Sequence, residues 1–336
     1  MTARQVWRAH PGKLGLFYFM IDLVGEIGGG IRPLRWSRTV AREMVHRASV
    51  AEVLLTDVRR LQSGQFEAAA CWPRSHPTFP RDGMDLHSPL IVVETLRQLG
   101  IYVPLRYFAV PETSRLLITD LFFDIDSAAE PRAASGATEV TCLAAVSEVR
   151  RGTDGAVTGL RLDVSFHAHG KPFARAGGGA RFLDAPRYAV LRADRAQVTP
   201  PAQAPGGRLW PDAGTLGVTA AHDIVIRPGE GEGALLVEPA DPRHPFFFDH
   251  STDHVPGMVL LEAARQAAAL TSGGTLLRPT AGRLKAIRFT EFEPPARVLC
   301  VPHHSTCVFR ILQSGEQKAF GVLRYSHRRP SLSVAS

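Results

Sequence analysis

The sequence predicts an α+β fold built twice from one pattern, and three observations carry that prediction. The first is a repeat at an offset of half the chain, the kind of signal that decides architecture. Aligned without a gap, His76 falls on His244, Pro77 on Pro245, Phe79 on Phe247, Asp85 on Asp253, Glu94 on Glu262, Arg97 on Arg265 and Gln98 on Gln266. The second is a helix apolar on nearly every side: from Pro256 to Leu270 the only ionisable residues are Glu262 and Arg265. Such a helix is normally buried all round. The third is the series of β-like runs after each helix, punctuated by Gly and Asp-Gly turns, which is the α+β order of one helix followed by antiparallel strands.

Taken in order, residues 1–45 read as an N-terminal extension. Its apolar run Leu14–Ile21 is followed by Asp22 and Glu26, too short to span a bilayer and a poor signal peptide. The first repeat covers residues 46–184. Val53–Arg60 and Gly64–Trp72 alternate as strands, Pro73–Pro89 is a proline-rich loop, and Leu90–Val103 is the first central helix. Strands are expected over Arg115–Asp126, Thr138–Arg150, Val157–His169 and Phe173–Leu183. Residues 185–218, rich in Pro, Gly and Ala, read as a linker. The second repeat, 219–326, has strands at His222–Arg227 and Gly233–Val237, its buried helix, then strands near Arg283–Glu291, Val298–Pro302, Thr306–Leu312 and Lys318–Tyr325. Residues 327–336 form a flexible tail. Each sheet curving round its own helix could continue into the other, removing exposed edges and giving an intramolecular pseudo-dimer.

Composition narrows the partners. A chain of 336 residues with 45% hydrophobic content has the core-forming capacity of a globular protein, and no segment reads as a membrane span. The net charge of +7 suits an anionic partner, a phosphorylated metabolite or an acidic carrier protein. The charges are dispersed, with no basic run or aromatic-basic interleaving, so nucleic acid is not expected. Four cysteines give no disulfide framework and suit a reducing, cytoplasmic compartment. The interval Cys300 to Cys307 fits no common zinc pattern, so no metal is expected. A homo-oligomer is compatible with the sequence.

The chemistry concentrates at the second helix. Glu262, Arg265 and Gln266 stand at i, i+3 and i+4 and share one face. A buried carboxylate is unfavourable unless paired or used, so two readings stand: an intrahelical pair fixing the packing, or a working acid or base. Glu94 and Arg97 pose the same choice in the first repeat. At Val255-Pro256-Gly257-Met258 the helix start leaves backbone N–H groups unpaired at the positive end of the dipole, where they can polarise a thioester carbonyl. Gly257 lets a substrate approach the backbone closely. His250 lies in the loop that reaches this helix start, whereas His76 and His244 read as satisfied loop histidines. An apolar tunnel along such a helix suits an acyl chain.

Phe246-Phe-Phe-Asp-His250 followed by Val255-Pro-Gly-Met-Val-Leu-Leu-Glu262-Ala-Ala-Arg-Gln266 resembles the hotdog-fold β-hydroxyacyl-carrier dehydratases, in which a loop His and a helix carboxylate act on a carrier-bound thioester. Three departures set the chain apart: a shorter His-to-Glu interval, Asp249 in place of a Gly, and the charge of Arg265. Val45-His46, Ala51-Glu-Val-Leu-Leu-Thr-Asp57, Cys71-Trp-Pro-Arg-Ser-His76-Pro, Val93-Glu94-Thr-Leu-Arg97-Gln98 and Asp253-His-Val-Pro-Gly-Met258 resemble more closely the A-factor biosynthesis (AfsA-type) family over roughly residues 44–325. The resemblance implies a double (tandem) hotdog: two long central helices, each wrapped by a curved antiparallel sheet. It also implies a γ-butyrolactone-type autoregulator synthase moving a β-ketoacyl group from acyl carrier protein to dihydroxyacetone phosphate. The acyl group arrives on the carrier's phosphopantetheine, and no other cofactor is implied. On this reading Glu262 is the general base, His250 or His254 polarises and positions, and Glu94 joins the catalytic set. Arg265 meets phosphate or holds Glu262, while Arg97, Gly257, Met258 and Gln266 contact substrate. Position 82, aligned with His250, is Asp82, so two unequal sites are expected. The competing readings are a hotdog dehydratase or thioesterase, and a non-catalytic acyl- or lactone-binding regulator.

Overall fold

Burial alternates along the strands as a sheet with one covered face requires. Thr306–Gln313, for example, buries Cys307, Phe309, Ile311 and Gln313 and turns Val308 and Arg310 outward. The computed structural model describes residues 32–76, 85–133, 136–193, 209–231, 233–250 and 252–326. The expectations for residues 1–31, Asp82, much of the linker and the tail lie outside these. From Arg35 onward the described residues belong to one compact unit.

Twelve strands are named in chain order: β1 (Leu55–Gln62), β2 (Gln65–Pro73), β3 (Arg115–Ile125), β4 (Ala137–Arg151), β5 (Val157–Ala168), β6 (Lys171–Leu183), β7 (Ile226–Pro228), β8 (Leu235–Val237), β9 (Pro279–Ala286), β10 (Ala296–His303), β11 (Thr306–Gln313) and β12 (Glu316–Tyr325). They form one antiparallel sheet in the order β1-β2-β4-β5-β6-β3-β9-β12-β11-β10-β8-β7. The order reads the same from either end once β1–β6 are matched to β7–β12 through the repeat. The join is β3 against β9, with Asp120 to Asp124 opposite Lys285 to Ala281.

Two helices sit at equivalent places in the two halves. α1 (Leu90–Tyr107) buries Leu90 through Leu96 and Gln98, Leu99, Ile101, Val103 and Pro104. α3 (Gly257–Thr271) buries every residue from Met258 to Ala269. Both carry their carboxylate in the buried stretch, as the repeat requires. Gln98 and Gln266 do the same work in each half. Gln98 donates to Glu52 O at 2.8 Å and accepts from Leu54 N at 2.9 Å; Gln266 donates to Asp223 O at 2.8 Å and accepts from Val225 N at 2.9 Å. Each glutamine thereby ties its helix to the chain entering the sheet and satisfies backbone groups that burial would otherwise orphan.

Several elements differ from the sequence reading. β9 begins at Pro279 rather than Arg283, and β7 and β8 are three-residue strands. Within the expected linker, α2 (Ala185–Arg192) is capped by Asp184, whose Oδ1 accepts from Arg187 N at 2.8 Å, with a proline in its first turn. Cys300 and Cys307 are paired and Cys71 and Cys142 are free, where the sequence reading expected no disulfide framework. The β10–β11 register sets Cys300 opposite Phe309 and Pro302 opposite Cys307, bringing the two Cα atoms to 6.4 Å. Among the described residues no helix is long and apolar enough to cross a membrane.

Two glycines have opposite surroundings. A Cβ on Gly178 of β6 would meet Asp120 O at 2.3 Å, whereas one on Gly100 of α1 would meet nothing within 4 Å. Gly178→Ala should therefore destabilise the fold by about 1–3 kcal/mol through forced separation of β6 and β3. Gly100→Ala should stabilise it by about 0.5–1 kcal/mol. Denaturant unfolding of both variants checks the pair.

Candidate active site

Val93, Leu96, Arg97 and Gly100 recur at helical spacing and turn one stripe of α1 towards the inner face of β3, β5 and β6. Between them lies a narrow cavity of about 40 Å³, partly open to solvent and walled by Leu116, Ile118, Leu121, Leu160 and Leu162, with Met258 of α3 among its lining residues. Its walls are apolar apart from Arg97 and Asp120. Arg97 and Met258 bring together a helix of the first half and the first turn of the helix of the second.

At Arg97 the cavity borders a buried ionic network. Glu94 is 1% exposed. It accepts from Arg97 at 2.8 and 2.9 Å, from Arg47 at 3.1 Å and from Gln98 at 2.7 Å. Burial alone would raise its pKa; the charges of Arg47 and Arg97, with hydrogen bonds from Arg97 and Gln98, outweigh that and hold the carboxyl at about 2. Glu94 is thus an anion at any physiological pH, and its lone pairs are already engaged. It orients cations rather than accepting protons.

Arg47 extends the network into the other half. Its Nη1 lies 3.0 Å from Asp249 Oδ1 and donates to Phe246 O at 2.8 Å, and its guanidinium stacks 4.7 Å from the Phe246 ring centre. Asp249 also accepts from Ala48 N at 3.0 Å and sits 2.5 Å from His250 Nδ1. Burial pushes the Asp249 pKa up, but His250, Arg47 and the Ala48 N–H together bring it below the ordinary value. An ionised Asp249 accepts a hydrogen bond from His250 Nδ1–H, which leaves Nε2 as a lone-pair acceptor on a side chain 48% exposed. A loop His–Asp dyad therefore stands on an arginine anchored to the first helix.

The start of α3 adds donors. The helix opens after Pro256, and the first i to i+4 bond closes from Leu260 N onto Pro256 O at 3.2 Å. The N–H groups of Gly257, Met258 and Val259 thus precede the first acceptor on the helix. A Cβ on Gly257 would meet nothing within 4 Å, so this backbone is open to approach.

The equivalent pair on α3 is enclosed. Glu262 is 0% exposed and accepts from Arg265 at 2.8 and 2.6 Å and from Gln266 at 2.8 Å. Arg265 also donates to Leu216 O at 2.8 Å and Leu277 O at 3.1 Å, and neither residue lines the cavity. Of the residues expected at the site, the structure thus places Arg97 and Met258 on the cavity and ties Glu94 and the His250–Asp249 pair to Arg97 through Arg47, while Glu262, Arg265 and Gln266 form a separate enclosed group. The expectation that Glu262 is the general base and Arg265 the phosphate ligand meets a physical obstacle, because Glu262 is sealed from solvent and the Arg265 fork is spent on Glu262 and two carbonyls. His254 belongs to a separate group: its Nδ1 is 2.8 Å from Asp253, which also accepts from Tyr188 and Arg192 of α2. These bonds, led by that from His254, hold Asp253 well below the usual carboxylate range.

Arg47 and Asp249 were not singled out as functional by the sequence. Arg47 lies outside the matched stretch His76–Gln98, and Asp249 stood out only as a departure from a family glycine. His222, Asp223 and His244 cluster within 4.8 Å, a spacing that could hold a metal. His244 Nδ1, however, accepts from the N–H groups of Phe246 and Phe247 at 3.1 and 3.2 Å, so Nε2 carries the proton it shares with Asp223 at 3.0 Å. No lone pair is left for a metal. His76 repeats the arrangement with Glu52 at 3.0 Å, which marks both as loop fasteners.

The comparisons with known proteins agree with one another. A family model for the A-factor biosynthesis hotdog domain matches residues 32–184 and 221–282. A 2-oxo-3-(phosphooxy)propyl 3-oxoalkanoate synthase of Streptomyces virginiae is 34% identical over 271 residues, 79% of this chain and 87% of that protein. Proteins of the same description from Streptomyces coelicolor and Streptomyces griseus are each 31% identical over 76% of this chain, covering 80% and 83% of their own lengths. Among solved structures, an acyl-ACP thioesterase from Bacteroides thetaiotaomicron has a TM-score of 0.46 at 10% identity, covering 77% of this chain and 98% of its own. The dehydratase domain from the CurF module of curacin polyketide synthase has a TM-score of 0.46 at 12% identity, covering 80% and 96%.

Removing the enclosed guanidinium tests the contrast between the two pairs. Arg265→Ala leaves the Glu262 carboxylate buried without its cation and should lose about 3–5 kcal/mol of folding stability. Urea unfolding checks this; a loss below about 1 kcal/mol would mean that water or another cation reaches Glu262.

Proposed function

The chain belongs to the A-factor biosynthesis hotdog family, and from that premise we propose that it transfers a β-ketoacyl group from a carrier thioester to the free hydroxyl of dihydroxyacetone phosphate. The name carried by its relatives describes such a product: the 2-oxo-3-(phosphooxy)propyl part is the triose phosphate and the 3-oxoalkanoate is the β-ketoacyl chain. The mirrored strand order and the paired helices support a tandem hotdog packed as an internal pseudo-dimer. The observation that carries the functional reading is an apolar cavity lined by Arg97 and by Met258 of the first turn of α3, with the His250–Asp249 dyad tied to Arg97 through Arg47 and Glu94.

The acyl chain lies in the cavity beside Gly100, and the thioester carbonyl faces the N–H groups that open α3. The acceptor hydroxyl oxygen attacks the carbonyl carbon while its proton passes to His250 Nε2. Asp249 keeps the imidazole in the right tautomer and stabilises the imidazolium that forms. The tetrahedral oxygen takes its negative charge at the helix start, where preorganised donors favour it. Collapse breaks the carbon–sulfur bond, and the departing sulfur takes the proton back from His250. Holding both reactants in one cleft supplies the proximity such a transfer needs. Glu94 and Arg47 touch neither reactant; they fix Arg97 and the dyad. One productive site per chain follows, with residues from both halves.

Incubating purified protein with a β-ketoacyl carrier, with and without dihydroxyacetone phosphate, tests the reading by mass spectrometry. The ester should form, and the carrier should be discharged, only when the triose phosphate is present; free β-keto acid in its absence would make the protein a thioesterase. His250→Gln should retain its melting temperature and lose about 10²–10⁴-fold in kcat. Gly100→Leu fills the cavity beside α1, so in competition between short- and long-chain carriers the product distribution should move to the shorter acyl chain. An unchanged distribution would take the acyl chain out of this cavity.

A further inference from the structure

The transfer reading leaves the phosphate of the acceptor without a partner, since Arg265 is enclosed. The region around His46 offers one. His46 ends a short 3-10 helix (Arg42–Val45) with φ 50° and ψ 54°, a left-handed conformation unfavourable for a residue with a Cβ. Its ring bonds to the Glu112 backbone, yet its Nε2 is buried with no partner. Strain and an unsatisfied buried nitrogen in one side chain ask for an explanation, and such features gather at functional sites.

The groups facing His46 supply it. Arg97 comes from α1, His250 from the loop before α3 and Arg115 from the start of β3, and all three oppose a charge on the ring. Glu112 contributes its backbone, while its side chain is on an exposed residue. Burial first, then these neighbours, push the His46 pKa down to about 4, so the ring is neutral at rest. The adjacent carboxylates are committed: Glu94 and Asp249 to Arg47, Arg97 and His250, and Asp253 to His254, Tyr188 and Arg192. Arg115, an exposed residue, has its guanidinium carbon 5.5 Å from the Tyr188 ring centre. The result is a patch of positive potential beside Arg97, which lines the cavity, with an orphan nitrogen that an anion would satisfy once the ring takes up a proton.

We propose that Arg115, Arg97 and His46 form a phosphate subsite, which takes the phosphate monoester of the triose acceptor with His46 Nε2 donating to it. The inference rests on the transfer reading for the identity of the ligand. Arginine forks suit phosphate oxygens, and Arg115 still has donors to give. A bound dianion reverses the local field, so the His46 pKa rises on binding and the ring takes up a proton from solvent. Anion affinity therefore increases as pH falls towards that raised value. The other phosphate in the reaction, the diester of the carrier's pantetheine arm, has the same chemistry and is separated from the acceptor by the test.

Sulfate, which does not titrate in the range concerned, is the first probe. The His46 imidazole signal, identified by its loss in His46→Gln, should titrate at higher pH when sulfate is added to the wild type, and should not move in Arg115→Gln. A His46 pKa indifferent to sulfate, or one that moves equally in both proteins, overturns the subsite. In the transfer reaction Arg115→Gln should raise the KM for dihydroxyacetone phosphate at least tenfold and leave the KM for the loaded carrier unchanged. A rise confined to the carrier assigns the cations to the pantetheine phosphate and overturns the proposal. If the wild type forms no ester while sulfate still raises the His46 pKa, the transfer reading falls and the anion subsite remains.

Discussion

The guanidinium of Arg47 is the contact on which the site depends. It lies between Glu94 on the helix of the first half and Asp249 in the loop of the second, with both ion pairs near 3 Å and its own side chain 3% exposed. Removed from water, such a group is favourable only if its donors are met, and here two carboxylates and the Phe246 carbonyl meet them. The geometric consequence matters more than the energy. The loop that carries His250 is fastened through Arg47 to the first helix, so in the proposed reaction the working groups are drawn from both halves. Fixing the loop this way would hold the dyad in one orientation before any substrate arrives.

Two identical motifs have come to different uses. Glu-Xaa-Xaa-Arg-Gln occurs on both helices, and in both the arginine folds back onto the glutamate and the glutamine ties the helix to the strand entry. On α3 the remaining arginine donors go to the carbonyls of Leu216 and Leu277, which closes the group off. On α1 the second carboxylate oxygen also meets Arg47, and Arg97 stays 13% exposed at the edge of a cavity. A duplicated fold can keep one such cluster as internal structure and open the other to a ligand, since the packing requirement is already met by the pair itself.

Much of this was legible in the sequence. The gapless register from His76 to Gln98 anticipated two helices at matching places in a mirrored strand order, because a buried helix with a fixed face tolerates no insertion, and period-two runs marked the long strands of the first half closely. The shorter β7 and β8 were blurred, since three residues carry too little alternation to be read. α2 was hidden in a proline- and alanine-rich stretch although Asp184 and Pro186 form a recognisable helix start. The site was half legible. His250, Glu94, Arg97 and the α3 start stood out by type and spacing. The choice between the two pairs did not, because the two helices carry the same motif and only the surrounding chain decides which arginine, Arg97 or Arg265, lines a cavity. Arg47 lies outside the matched stretch His76–Gln98 and in no local pattern, so only the folded chain reveals it. The Cys300–Cys307 bridge depends likewise on strand register, not on spacing alone.

The central claim is that one site per chain, assembled across the halves, receives the acyl thioester. Titration calorimetry with a non-hydrolysable β-ketoacyl-pantetheine thioether measures it directly. The account predicts one equivalent bound per chain, with binding abolished when Gly100 is replaced by Phe and unaffected by Glu262→Gln in protein that remains folded. Two equivalents bound, or binding lost with Glu262→Gln and retained with Gly100→Phe, would contradict it.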